Sequence, residues 1–407
     1  MMPDLKSIAI LSVHTCPVAA LGGKKTGGMN VYVRDLAREL GRKGIKVDIF
    51  TRCESLDSPE IRRLGPNVNV IHIPSGPAGT LTPMEIFPYL PEFTANVIKY
   101  QRQHRTQYDL IHAHYWLSGL VGLKLKTAWK IPLVQTFHTL GLVKQRFLPG
   151  LTEPRARISS ENLLVKRVDR ILAFTADEVD HLRNLYGADI KKIAVIPPGV
   201  DVNRFHPVPA GLAKNKIGIS PQQRLVLFVG RLDPVKRVEI LLSAFSVTKS
   251  AFKQIDGQMI KLTIIGGESG DENLGRLKLL AENLKISGRV KFLGQRDQKI
   301  LPFYYSAAEL VIIPSSYESF GLVALESMAC GTPIVASKVG GLTILIADGQ
   351  TGFSVPPNQT KPLAKAISLR LQNQKLRFEM GRAARRAALK YAWPKIIPRI
   401  IACYQTL

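Results

Sequence analysis

Acidic residues are scarce in this chain. Against 56 Lys and Arg stand only 31 Asp and Glu, which leaves a formal net charge of +25 and a pI near 10. That balance disfavours cationic partners and favours anionic ones: nucleic acid, an acidic membrane surface, or phosphorylated small molecules. Cysteine is scarcer still. Cys16, Cys53, Cys330 and Cys403 lie far apart with no C-x-x-C pair, which argues against a disulfide scaffold or a thiolate zinc site and suits a reducing cytosol. No apolar run approaches the ~20 residues needed to cross a bilayer. The opening "MMPDLKSIAILSVH" is charged early and has no small-residue cleavage site, so it reads as a first strand and not a signal peptide. No repeat of solenoid or propeller length is present.

What is there is regular alternation. At 407 residues, 45% hydrophobic and 21% charged, the chain suits two globular domains of about 200 residues each. In the first half, "SIAILSVH", "KVDIFTR", "NVIHIPS", "DLIHAHY", "PLVQTFH" and "RILAFT" read as strands. Between them lie amphipathic stretches such as Met29 to Arg42, where Val33, Leu36 and Leu40 share a helical face. The Pro- and Gly-rich "VIPPGVDVNRFHPV" interrupts this pattern and marks a boundary. Alternation then resumes with "RLVLFVG", "KLTIIGG", "RVKFLG", "LVIIPS", "PIVAS" and "GFSVP". The expected fold is α/β: two Rossmann-like, doubly wound domains facing each other across a cleft, with ligands at the carboxyl ends of the strands.

Several stretches could carry chemistry. "GGKKTGGMNVYV" leads a Gly-rich Gly22–Gly28 loop into a helix opening near Met29. Its spacing is not G-x-G-x-x-G, so a phosphate cradle and a plain turn both stand open. "FVGRLDPVKRVEILLSAF" places Arg231 and Lys236 after a strand and beside a helix start, as a pyrophosphate clamp or as a solvated turn. His112 and His114 share a strand face, but two ligands without an acidic or cysteine companion are too few for a metal site. His138 and Thr139 stand at the carboxyl end of another strand, where α/β active-site residues collect; a structural histidine is the competing reading. Glu318 follows the strand "ELVIIPS", and a buried helix from Phe320 to Ala329 carries Glu326 about two turns along. Both carboxylates could accept hydrogen bonds from sugar hydroxyls, while the first-turn N–H groups of Gly321, Leu322 and Val323 face an anion. Alternatively, Glu318 complements the helix dipole and Glu326 lies at the surface, which its apolar neighbours Leu325 and Met328 make awkward.

The spacing from Glu318 to Glu326 followed by "MACGTPIVAS" resembles the retaining nucleotide-sugar glycosyltransferases of family four, which have the GT-B fold. The resemblance spans the chain, through "TGGMNVYVRDLARELGRKG", "IHAHYWLSG", "TFHTLG", "IPPGVD", "FVGRLDPVKR" and "GGLTILIADGQTGFSVPP". It implies an N-terminal acceptor domain over 1–200, a donor domain over 201–387, and a C-terminal helix, about 388–407, that crosses back onto the first. It implies a UDP-sugar donor with no metal or other cofactor. Arg231 and Lys236 would hold the diphosphate, with the backbone N–H of Gly28. Glu326 would bind the ribose and Glu318 the donor sugar, helped by the N–H groups of Ser319, Phe320 and Gly321. Arg296 would border the nucleobase, and His138 would lie beside the sugar.

Within that family, "HAHYWLSG", "TFHTL" and "EPRARISSE" are most similar to enzymes that glycosylate inositol 3-phosphate or fructose 6-phosphate, and Asn30, Tyr115, Thr139 and Arg157 match the acceptor positions. The implied acceptor is a sugar, polyol or sugar phosphate. One departure stands out: after "GPAG" the relatives carry a lysine where this chain has Thr82 and Pro83, and Lys24, Lys25 or Lys144 are the candidates to compensate. Two other readings remain: a membrane-surface glycosyltransferase acting on a lipid or polysaccharide acceptor at the inner face of the membrane, and a basic nucleic-acid-binding protein. The second lacks any helix-turn-helix, RNP-like strand or zinc spacing, so no specific nucleic acid is expected. Nothing in the sequence sets an oligomeric state.

Overall fold

The computed structural model describes residues 5–19, 26–55, 57–148, 150–247, 260–268 and 270–407. The chain divides into two compact units: Met1–Ala19, Gly28–Gly199 and Pro394–Leu407 form one, and Ala20–Gly27 with Val200–Trp393 the other. The Pro-Pro-Gly stretch therefore coincides with the division.

The N-terminal unit carries β1 (Ser7–Leu11), β2 (Lys46–Arg52), β3 (Ile61–Gly65), β4 (Val68–Ile73), β5 (Leu110–His114), β6 (Leu133–Thr136), β7 (Arg170–Ala173) and β8 (Ile193–Val195). They form one sheet in the order β3-β4-β2-β1-β5-β6-β7-β8. All neighbouring pairs are parallel except β3 with β4. Strands β1, β5 and β6 are buried throughout, which is why they read as unbroken apolar runs and not as alternation. The chain winds outward from β1 in both directions, so the order reverses between β1 and β5. That is the switch point at which doubly wound sheets bind ligands.

The second unit repeats the plan with β9 (Arg224–Val229), β10 (Ile260–Ile265), β11 (Val290–Gly294), β12 (Ala308–Ile313), β13 (Ile334–Ser337) and β14 (Gly352–Val355). The order is β11-β10-β9-β12-β13-β14, parallel throughout, and the switch point lies between β9 and β12. Its core joins Val226, Phe228, Ile264 and Ile312 of the strands to Leu241, Phe245 and Ile367 of the covering helices.

The helix Trp393–Tyr404 repeats the 3.6-residue period. Trp393, Ile396, Ile397, Ile400 and Tyr404 are buried while Lys395, Pro398 and Arg399 face solvent. From Pro394 onward it belongs to the N-terminal unit, where the Tyr404 hydroxyl lies 2.7 Å from His112 Nδ1 on β5.

The basic run after Gln359 is less solvated than its composition suggests. Arg377 is buried against Glu309 and donates to the carbonyls of Arg370 and Leu371, terminating one helix and tying it to the sheet. Arg385 donates to the carbonyls of Phe205 and Ala329. Lys361, Lys365, Lys375, Arg382, Arg386 and Lys390 remain exposed. Among the described residues, no helix is long and apolar enough to cross a membrane.

Candidate active site

In the second unit the charged residues gather at the switch point. Strand β9 ends at Val229, and Gly230 and Gly266 follow β9 and β10 in close contact: a Cβ on Gly266 would stand 1.8 Å from the Gly230 carbonyl oxygen. Only glycine permits that approach, at φ +135°. Arg231 then pairs with Asp233 at 2.8 Å, both partly exposed. A 3-10 turn, Pro234–Lys236, presents the ammonium of Lys236 2.5 Å from Glu318 Oε1. Arg237, left-handed at φ +51°, turns back to donate to Ser316 Oγ at 2.6 Å, and Ser316 N–H donates to the Val235 carbonyl at 2.8 Å. The loops after β9 and β12 are thus stitched together by backbone and side chains. Ser315 Oγ adds a second donor to Glu318 Oε1 at 3.0 Å.

The helix after Glu318 runs from Leu322 to Ala329. It begins two residues later than the Phe320 start read from sequence, because Gly321 adopts φ +99° and ends the loop. No side chain caps its N-terminus, so Gly321, Leu322 and Val323 present the positive end of the helix. Gly340 and Gly341 fit beneath this loop, where a Cβ would stand 2.1 Å from the Glu318 carbonyl oxygen or 2.3 Å from Phe320 Cα. Ser319 and Phe320 lie in the loop itself. Arg296 is exposed and donates to the Gln295 carbonyl at 2.8 Å, beyond the end of β11.

Glu326 is buried and not at the surface. The Tyr305 hydroxyl donates to its Oε2 at 2.8 Å and the Gln298 amide to its Oε1 at 3.3 Å. Arg204 in turn donates to Gln298 Oε1 at 2.6 Å. Burial and the neighbouring carboxylate push the Tyr305 hydroxyl well above the usual phenol range, so it stays a donor. Tyr305, Gln298 and Arg237 carry no local sequence signal, since each meets a partner 20 to 80 residues away.

In the N-terminal unit, Tyr115 follows β5 and His138 follows β6, both in left-handed backbone at φ +74° and +61°. Arg157 links them. Its guanidinium lies 5.2 Å from the centre of the Tyr115 ring and donates to the Thr139 carbonyl and Oγ1 at 3.0 and 3.1 Å. It also pairs with Glu153 and Glu161 at 2.9 and 2.8 Å, and Lys144 holds the other oxygen of Glu153 at 2.8 Å. Arg157 and Glu161 stand one turn apart on the helix Arg155–Arg167, and Glu153 lies just before its start, so both carboxylates reach the same guanidinium. Although the burial of Arg157 favours its neutral form, Tyr115 and the two carboxylates raise its pKa, so it stays charged.

Asn30 is buried on the first helix, Gly28–Arg42, and donates to Thr15 Oγ1 at 2.7 Å and the Cys16 carbonyl at 2.8 Å. Its amide holds the loop after β1. Gly28 opens that helix; residues 22–25, Lys24 and Lys25 among them, lie outside the described residues. At the departure from the family pattern, Thr82 and Glu85 form a capping box around Pro83 at the first helical position. Thr82 and Pro83 therefore start a short helix.

His138 Nε2 lies 3.0 Å from His114 Nδ1. Burial holds His138 at about 3, and burial with the neighbouring His138 holds His112 at about 3. His114 is depressed by burial and by both other rings. All three are neutral near pH 7. Among the described residues, no three His, Cys, Asp or Glu side chains gather as a metal site requires.

Two doubly wound units, each with charged and hydrogen-bonding side chains at its switch point, define a two-domain α/β protein. Comparison with known proteins narrows the class. Residues 27–199 match the glycosyl transferase 4-like domain, and residues 212–387 match the glycosyl transferases group 1. The chain is 39% identical over 409 residues to the D-inositol 3-phosphate glycosyltransferase of Actinosynnema mirum, covering 98% of this chain and 97% of that one. The sucrose-phosphate synthase of Thermosynechococcus elongatus superposes with a TM-score of 0.90 at 31% identity, over 98% of each chain. The Anabaena protein HepE, solved with UDP and glucose, shares the fold at a TM-score of 0.77 and 21% identity, over 99% of this chain and 100% of that one. The chain belongs to this glycosyltransferase family and has the GT-B fold.

Proposed function

We propose that the protein is a retaining glycosyltransferase that moves a hexosyl group from UDP-glucose or UDP-N-acetylglucosamine to a hydroxyl of a sugar or polyol acceptor, of the inositol phosphate or fructose 6-phosphate type. The observation that carries this reading is the joining of Lys236 and Glu318 at the switch point, next to Arg231 and an uncapped helix N-terminus. That set combines cations and backbone N–H groups for a diphosphate with a carboxylate for sugar hydroxyls. The Arg231–Asp233 pair is partly exposed, and such pairs contribute only about 0–1 kcal/mol. Exchanging Asp233 for a diphosphate therefore costs little.

In this reading Glu326 accepts from the ribose, Arg296 borders the base through its backbone, and the acceptor lies against Tyr115, Thr139 and Arg157. Departure of the diphosphate is the hard step, and electrostatic stabilisation by Arg231, Lys236 and the helix N–H groups supplies most of the rate. The acceptor hydroxyl transfers its proton to the leaving phosphate and attacks from the same face, so the anomeric configuration is kept. The relatives' names support an acceptor bearing a phosphate; the local sequence at Thr82–Pro83 weakens one of its contacts.

The test is a nucleotide-release screen. It crosses UDP-glucose, UDP-N-acetylglucosamine, ADP-glucose and GDP-mannose with inositol 3-phosphate, fructose 6-phosphate, fructose and lipid acceptors, with NMR of the product anomer. Release only with a UDP-sugar and a polyol or sugar phosphate supports the reading. Acceptor-dependent release confined to lipid vesicles, or an inverted product, defeats it.

A further inference from the structure

We infer that His114 is a positioning residue for His138: from the buried end of β5 it donates its Nδ1–H to His138 Nε2 and so fixes the His138 ring with its own proton on Nδ1. This rests on the reading above that puts His138 beside the donor sugar.

The two nitrogens are 3.0 Å apart, a contact that requires one proton between them. Two arrangements of neutral rings satisfy it. In one, His114 Nδ1–H donates and His114 Nε2 is a bare lone pair. In the other, His138 Nε2–H donates and His114 must carry its proton on Nε2. That Nε2 is buried with no hydrogen-bond partner. An orphaned buried N–H is the rarer and costlier defect, whereas an unused ring lone pair loses less. The first arrangement follows. A doubly protonated His114 is opposed by its complete burial and by the His112 ring, whose centre lies 4.1 Å away.

The surroundings hold this geometry. Thr139 N–H donates to the Phe137 carbonyl at 2.7 Å, a tight turn that puts His138 in left-handed backbone at φ +61°. For a non-glycine residue that conformation costs energy and persists only where neighbours enforce it. Tyr32 and Phe174 present their rings to His138 at 5.5 Å each, and His114 Nδ1 meets its Nε2. The identity of the nitrogen that carries a histidine proton is set by the bond made at the other nitrogen. His138 is therefore a neutral Nδ1–H donor, and it serves neither as a cationic acid nor as a base at Nε2.

The decisive measurement is a long-range proton–nitrogen NMR correlation on the full chain, labelled with 15N-histidine, near pH 7. A pyridine-type Nε2 and a pyrrole-type Nδ1 on His138 support the proposal, and the reverse assignment overturns it. Kinetics give the second arm. His114→Asn keeps an N–H donor near the Nδ1 position, whereas His114→Phe keeps only bulk. Loss of one positioning hydrogen bond predicts a fall in kcat of about tenfold for His114→Phe with donor KM changed about twofold or less, and recovery of most of that loss in His114→Asn. Wild-type kcat in the Phe variant, or equal loss in both variants, overturns it. Should His114→Phe not fold, the wild-type tautomer alone decides. If the wild-type turns over no nucleotide sugar, the proposed function fails while the tautomer result still stands on its own.

Discussion

Lys236 Nζ and Glu318 Oε1 lie 2.5 Å apart although 82 positions separate them in the chain, and they join the loops that follow β9 and β12. The pair lies at the point where the second sheet reverses its order, between β9 and β12. Both side chains are largely shielded from water, so neither is a freely solvated surface charge. Under the proposed function, a diphosphate arriving there would meet a cation already held in place, so little reorganisation would remain at the moment of reaction.

Replacing that cation tests the assignment. Lys236→Ala and Arg231→Ala are each expected to lower turnover by about 10²–10³-fold, the usual cost of removing one stabiliser of developing charge. Folding should persist, since Arg231 is half-exposed and the loops keep their Arg237–Ser316 and Ser316–Val235 bonds. Nucleotide release and thermal melting on the same samples measure both. Near-normal turnover in both variants would remove the diphosphate clamp from these residues.

Tyr305 offers a subtler probe. Its hydroxyl donates to a buried carboxylate, Glu326, and a hydrogen bond to a charged group contributes about 1.5–3 kcal/mol. Tyr305→Phe should cost a comparable amount of stability and raise donor KM several-fold while leaving kcat within about threefold. A denaturant midpoint and steady-state kinetics separate these outcomes. A large kcat loss with unchanged KM would mean that Glu326 acts on the reacting centre and not on the nucleotide.

Much of this architecture was legible in the residues. Buried strands such as "RLVLFVG" and "LVIIPS" announce themselves because both faces are covered and Gly or Pro ends them. Strands β3, "IRRLG", and β8, "IAV", give no such signal, since both lie at sheet edges and have no buried residue. Glu326 was placed on the right helix, yet Gln298 and Tyr305, which bind its carboxylate, come from separate elements. Likewise the charge run after Gln359 gave no sign that Arg377 and Arg385 turn inward to cap carbonyls. Periodicity records which face is buried, but it does not record which polar group meets which.

The histidine cluster has a pH signature. His112 is held at about 3 when folded against about 6.5 in the unfolded chain. Between those values the unfolded state binds more protons, so stability rises with pH and is complete above about 6.5. At pH 5 a fully buried histidine of this kind withdraws on the order of 1–2 kcal/mol. Glu178, raised to about 7 by burial, works the other way from its ordinary 4.5 upward, one group against three. Melting temperature should therefore fall steeply from pH 6.5 to pH 5, and His112→Gln should flatten that slope. An equal slope in the variant would assign acid sensitivity to the general excess of positive charge.

Arg157 needs a different kind of variant. It is buried between Glu153 and Glu161, and Glu161 is fully shielded, so Arg157→Ala leaves uncompensated charge worth about 3–5 kcal/mol of destabilisation. Loss of activity there would report misfolding as readily as acceptor binding. Thr139 is exposed, and Thr139→Ala should leave the melting temperature within a few degrees while raising acceptor KM with little change in donor KM.

The Thr82–Pro83 departure allows a gain-of-function test. Thr82 caps the short helix through its hydroxyl, and Glu85 returns the bond to the Thr82 N–H at 2.6 Å. Neither bond uses the Pro83 side chain, so Pro83→Lys keeps the cap and adds one cation on a partly exposed surface. A charge of this kind near a bound phosphate is worth about 1 kcal/mol at moderate ionic strength. Pro83→Lys should therefore raise kcat/KM about fivefold for a phosphorylated acceptor and leave its unphosphorylated counterpart unchanged, with the difference fading as salt is added. An equal effect on both acceptors would mean that no acceptor phosphate lies near this helix, and that the family's phosphorylated acceptor does not carry over to this chain.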